Sequence, residues 1–95
     1  MVIFEINTKE AKQAFAEIKK VLTAAKNWKI TTRMEITVMD GGIQLVGQGF
    51  VKTLDALTTG SCKMVIPIRH WYDLITMTTE KVVKVLVTEG EAMVG

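Results

Sequence analysis

The chain has 95 residues, 48% of them hydrophobic and 23% charged, the balance of one folded domain that needs no metal or disulfide to hold its core. Twelve Lys and Arg against ten Asp and Glu leave a formal net charge of +2, too little to imply a nucleic-acid partner by itself. A single cysteine rules out an internal disulfide, and no apolar run approaches the ~20 residues of a membrane span.

The opening MVIFEINTKEAK places acids where a signal peptide needs an apolar stretch, so a reducing, cytoplasmic setting without membrane attachment is expected. Val2 to Ile6 alternates weakly and predicts a short strand. Asn7 or Thr8 can then cap a helix, with Glu10 placed early against its dipole. From Lys9 to about Lys26 the residues are good helix formers, free of glycine and proline. At roughly 100° per residue, Ala11, Ala14, Phe15, Ile18, Val21, Leu22 and Ala25 share one face, which predicts the core side. Lys9, Lys12, Lys19 and Lys20 fall on the broad opposite side with Lys26 at its margin, while Glu10 and Glu17 keep a narrow edge of their own.

Lys29 to Met39 and Ile43 to Gln48 alternate on either side of Asp40-Gly41-Gly42, a strong hairpin signal. Gly47 and Gly49 bend or end the second of these strands, and Val51 to Asp55 either extends it or forms a loop. A further strand is expected within Gly60 to Ile66, with Cys62, Met64 and Ile66 on one side. Pro67 suits the first turn of a helix that runs to about Met77, with Ile68, Trp71, Leu74 or Tyr72, and Ile75 at helical spacing. Val82 to Val87 is the most strand-like run, and residues beyond Glu89-Gly90 can only begin one more strand. The order is therefore β-α-β-β-β-α-β. This predicts an α+β fold of one domain, residues 1–95, with two helices packed on one face of a mostly antiparallel sheet.

The ordered series of strand, lysine-bearing helix, "ITVMDGGIQLVG" hairpin, "MVIPIRHWYDLI" and "VVKVLVTEGEAMV" resembles one domain of a DNA sliding clamp of the bacterial polymerase beta-subunit type. The features that match are Ile36, Val38, Asp40, Gly41, Ile43, Leu45 and Gly47 of the hairpin, then Val65, Ile66, Pro67 and Arg69 at the second helix start. The resemblance implies a ring of about half a dozen such domains, strands outward and helices lining a hole around duplex DNA. It also implies homo-oligomers, replication proteins as further partners, and Lys or Arg contacts to phosphates that read no bases. On this chain those contacts map to Lys9, Lys12, Lys19, Lys20 and Arg69. A clamp of this type has two or three domains per chain and more strand at the end of each domain. The expectation is therefore a fragment, a minimal relative, or a clamp-fold protein that encircles nothing.

Other readings stand beside this one. The lysine face can be a solvated helix face, and Arg69 can pair with Asp73 one turn on. Without a DNA role the same fold would serve as a protein-interaction module, with Val82 to Val87 offering a partner strand if it lies at a sheet edge. Cys62 and His70 are the one thiol–imidazole combination, but Cys62 belongs to an apolar strand face where a thiol is inert. No metal-ligand spacing and no phosphate-binding glycine loop is present, so neither catalysis nor a cofactor is expected. Trp28 and Trp71 read as packing anchors, with Trp28 near a helix end partly exposed.

Overall fold

Strand β1 (Val2–Asn7) buries Phe4 and Ile6 and leaves Ile3 and Glu5 half-exposed, the alternation of a strand with one face on a core. The computed structural model describes residues 1–88 and 91–94. Helix α1 (Thr8–Ala24) starts where the Asn7 side chain accepts a hydrogen bond from the Glu10 amide at 3.1 Å. Thr8 is thus the buried first residue of the helix and not its cap. Phe15, Ile18 and Leu22 are at most 1% exposed, each contributing roughly 1.5–3 kcal/mol by burial. Val21 is only half-buried, and Ala25 lies exposed beyond the helix.

The end of α1 comes earlier than expected and has a defined geometry. The Lys26 amide donates to the Thr23 carbonyl and the Asn27 amide to the Leu22 carbonyl, with Lys26 itself at φ +57°. This double closure satisfies the last carbonyls by turning one residue left-handed, a place that glycine usually takes. Residues 28 to 32 then form a loop instead of the start of a strand. Thr32 explains why: its hydroxyl donates to the Asn27 carbonyl at 2.7 Å and holds the loop shut.

Strands β2 (Arg33–Met39), β3 (Gly42–Gly47) and β4 (Phe50–Asp55) follow as an antiparallel meander. Val51 to Asp55 thus neither extends β3 nor forms a loop but turns back as a strand of its own, which the expected β-α-β-β-β-α-β order lacks. The meander's two-residue turns, Asp40-Gly41 and Gln48-Gly49, each place glycine at positive φ, +78° and +87°. The short strand β5 (Leu57–Thr58), too brief to have a pattern of its own, pairs with β1. Strand β6 (Cys62–Pro67) pairs with β2, with Pro67 opposite Arg33. Pro67 is therefore the residue that caps helix α2 (Ile68–Met77), not a member of its first turn. Ile68, Trp71 and Ile75 are buried, Tyr72 is half-buried and Leu74 is exposed. Strands β7 (Val82–Thr88) and β8 (Glu91–Val94) close the order, and the expected break at Glu89-Gly90 lies outside the described residues.

The strands divide between two four-stranded sheets, β5-β1-β7-β8 and β4-β3-β2-β6, where one sheet was expected. Hydrophobic alternation reports which side of a strand is buried but not which strand lies beside it, so the division left no local trace. Each helix crosses from one sheet to the other, α1 from β1 to β2 and α2 from β6 to β7. The helices lie against each other, with α1 also touching β1, β4 and β7 and α2 touching β6. Buried residues of both sheets and both helices form one core. The chain is thus α+β, as the pattern predicts. The edge reading of Val82 to Val87 is overturned, because β7 pairs with β1 on one side and with β8 on the other.

Candidate nucleic-acid interface

Helix α1 sorts its charges by flank, and each flank meets a different neighbour. Glu17 lies on one flank and forms an ion pair with Lys52 of β4. Lys12 and Lys19 lie on the other and face α2. Lys9 and Lys20, nearly opposite the buried stripe at 100° per residue, are exposed and enter no ion pair among the described residues.

Lys12 is half-buried, and its Nζ donates to the Thr78 carbonyl at 3.0 Å. Thr78 caps α2 at its C-terminus, where partial negative charge from the aligned peptides gathers. Lys12 therefore bridges the helices, and this carbonyl shares its charge. Beside it, Asn7, Thr8, Lys9, Lys12, Glu80 and Lys81 surround an open depression of about 400 Å³. Lys81 was not foreseen here, because it follows α2 by several residues. It is brought to the start of α1 by the Thr8 amide, which donates to the Lys81 carbonyl at 2.9 Å.

Lys19 and Arg69 meet over an aromatic pair. The rings of Trp28 and Tyr72 pack edge to face, centroids 5.2 Å apart at 84°. The Lys19 amine lies 5.7 Å from the Trp28 ring centre and 5.0 Å from that of Tyr72, and the Arg69 guanidinium carbon lies 5.9 Å from Trp28. These are cation–π distances, worth about 0.5–1 kcal/mol each at exposed positions. Arg69 makes no ion pair with Asp73, so the pairing one turn on is not what occupies it. Trp28 is partly exposed, as its place near a helix end suggested, but its company of two cations and a tyrosine could not be read from spacing. The signal lay in Tyr72 falling on the same flank of α2 as Arg69.

Of the five cations, the fold brings Lys19 and Arg69 onto one aromatic pair and Lys9 and Lys12 into one depression. It leaves Lys20 by itself. Among the described residues no group of three or more His, Cys, Asp or Glu side chains gathers as a metal site. Burial pushes the Cys62 thiol up from its ordinary range, opposite to what a nucleophile needs. Among the described residues no helix is long and apolar enough to cross a membrane.

No protein-family model matches the sequence, and no curated protein matches it. Solved structures do match it in shape. A DNA polymerase III beta subunit from Thermotoga maritima superposes with a TM-score of 0.81 at 11% identity, over 99% of this chain and 26% of that one. The beta sliding clamp of C. crescentus gives 0.80 at 11%, over 100% and 26%. The DNA polymerase III subunit beta of Pseudomonas aeruginosa gives 0.82 at 10%, over 100% and 27%. Identities this low carry the fold alone. The chain has the fold of one sliding-clamp domain and spans about a quarter of the length of these structures.

Proposed function

We propose that this chain, built as one sliding-clamp domain, works as a clamp-like protein that associates with duplex DNA without reading its sequence. It carries out no chemistry of its own. Lys9, Lys19, Lys20 and Arg69 contact phosphates, and Lys12 contributes from its bridge between the helices. One observation carries the reading: both helices bury their apolar stripes in the shared core, while four of these cations stay exposed on the helices without an acidic partner among the described residues. A solvated face would more commonly interleave its lysines with acids at i to i+4 spacing. Here Glu17 is drawn to the β4 side instead.

The proposal includes assembly of several such domains into a ring around the duplex. The setting is cytoplasmic, and replication proteins are the further partners that the fold suggests.

Fluorescence anisotropy with labelled duplex DNA tests the reading. Affinity should fall steeply with salt, log K changing by about −0.9 per log unit of salt for each phosphate neutralised. The Lys9→Glu/Lys20→Glu double variant should weaken binding at least tenfold while leaving the thermal midpoint nearly unchanged. Salt-insensitive binding, or full affinity in the double variant, refutes the DNA-contacting face. Sedimentation with circular and linear DNA tests the ring, because a closed assembly is retained on circles and lost from free ends.

A further inference from the structure

We propose that Trp28 is a positioning residue for DNA association: together with Tyr72 it holds Lys19 and Arg69, which come from different helices, as one fixed pair of cations. The inference rests on the phosphate-contact reading above and adds to it a role for two uncharged side chains.

Two long cationic side chains at a surface lose considerable rotamer freedom when they bind a phosphate, which weakens the contact. A ring beneath each cation removes part of that loss beforehand, because the charge is already confined. The distances fit such a platform. Lys19 sits over both rings, at 5.7 and 5.0 Å, and Arg69 lies 5.9 Å from the same tryptophan. Neither cation has an acidic partner among the described residues, so both charges remain available to an incoming anion.

The platform is itself held from two sides. Trp28 follows the left-handed closure of α1 at Lys26 and precedes the Thr32 clasp. The Asn27 side chain donates to the Gln48 side chain at 2.8 Å, which ties the loop to the turn between β3 and β4. Tyr72 meets the tryptophan edge to face from α2. A ring used only to fill the core would resemble Trp71, which is 4% exposed. Trp28 keeps part of its surface in solvent, where cations can lie over it and still reach outward.

The experiment compares Trp28→Leu with Trp28→Phe, and Tyr72→Leu with Tyr72→Phe, in the full chain. Three readouts are followed: duplex affinity, the salt slope of that affinity, and the ring-current shift of the Lys19 Hε protons by NMR. In the parent protein those protons should be shifted upfield. Trp28→Leu should abolish most of the shift, weaken binding about fivefold and make the salt slope shallower by about 0.9 for each cation released. Trp28→Phe keeps an aromatic face and should restore all three. A purely structural role would lower the thermal midpoint without moving the salt slope. If Trp28→Leu does not fold, the Tyr72 pair gives the same comparison from the other ring. Parent-like affinity and slope in the folded leucine variants overturn this inference alone, as does an unshifted Lys19 in the parent protein. A parent protein that fails to bind duplex DNA removes the phosphate reading itself, and this inference with it.

Discussion

The Lys12 amine donates to the Thr78 carbonyl at 3.0 Å, so α1 supplies the cation that α2 lacks in its own last turn. A helix C-terminus without a basic residue leaves its last carbonyls to water or to a neighbour. Replacing Lys12 with methionine keeps the aliphatic stem and removes the donor. Stability should fall by about 0.5–1.5 kcal/mol, seen as a lower urea midpoint with an unchanged slope. Lys20→Met, with no such partner, should stay within about 0.5 kcal/mol of the parent.

Gly47 lies opposite Phe50 across the β3–β4 pair, and a Cβ built there would come within 2.4 Å of the ring. The phenylalanine is buried and rests where the glycine has no side chain. Gly47→Ala should therefore destabilise by roughly 1–3 kcal/mol through forced displacement of the ring. A Gly47→Ala/Phe50→Leu double variant should show less than the sum of the two single losses, because the clash is then absent. Denaturant titration of the four proteins checks both statements.

Lys26 occupies the left-handed position that closes α1, at φ +57°. A β-carbon is strained in that conformation and glycine is not. Lys26→Gly should raise stability by roughly 0.5–1 kcal/mol, after allowance for the greater freedom of glycine in the unfolded chain. A higher thermal midpoint measures it, and Lys26→Val should move the midpoint the other way.

Cys62 lies half-buried on the inner side of β6, and burial raises its thiol above the usual range. Its thiolate should be scarcer at neutral pH than that of an unfolded cysteine, so alkylation by iodoacetamide should be slower in the native protein than in urea. The sign for stability follows by linkage. The folded state favours the protonated thiol, so its contribution is complete below the unfolded pKa. It is lost as pH rises through the folded one. Cys62→Ser should flatten stability against pH on the alkaline side.

The legible parts of this fold were those that repeat locally. The α1 stripe and the Asp40-Gly41 hairpin depend on neighbours a few residues away. Ala11, Ala14, Phe15, Ile18 and Leu22 are buried as read, whereas Val21 and Ala25 are not, and Gly42 opens β3 instead of belonging to the turn. The division into two sheets depends on β1 meeting β7 and on β6 meeting β2. Those choices are made by the whole chain, and no single strand records them. Strand β5 went unread because two residues have no period. The site followed the same rule. Helical spacing gathered Lys9, Lys12, Lys19 and Lys20 on one side, but Lys12 proved to be bonded to Thr78 and Lys19 to lie over Trp28 and Tyr72. Trp28 to Tyr72 is a long-range contact, and a one-dimensional pattern has no means of announcing it.

Strand β1 takes its register from β7, with Val2 opposite Val87 and Asn7 opposite Val82. During synthesis β1 therefore leaves the ribosome long before the strand that supplies most of its ladder, and only Phe4 and Glu5 can pair sooner, with β5. The β2–β3–β4 meander can assemble much earlier from contacts close in sequence. Nascent chains arrested before residue 82 should hold that hairpin set in place while Ile6 and Asn7 still lack their β7 partners, a state suited to chaperone capture.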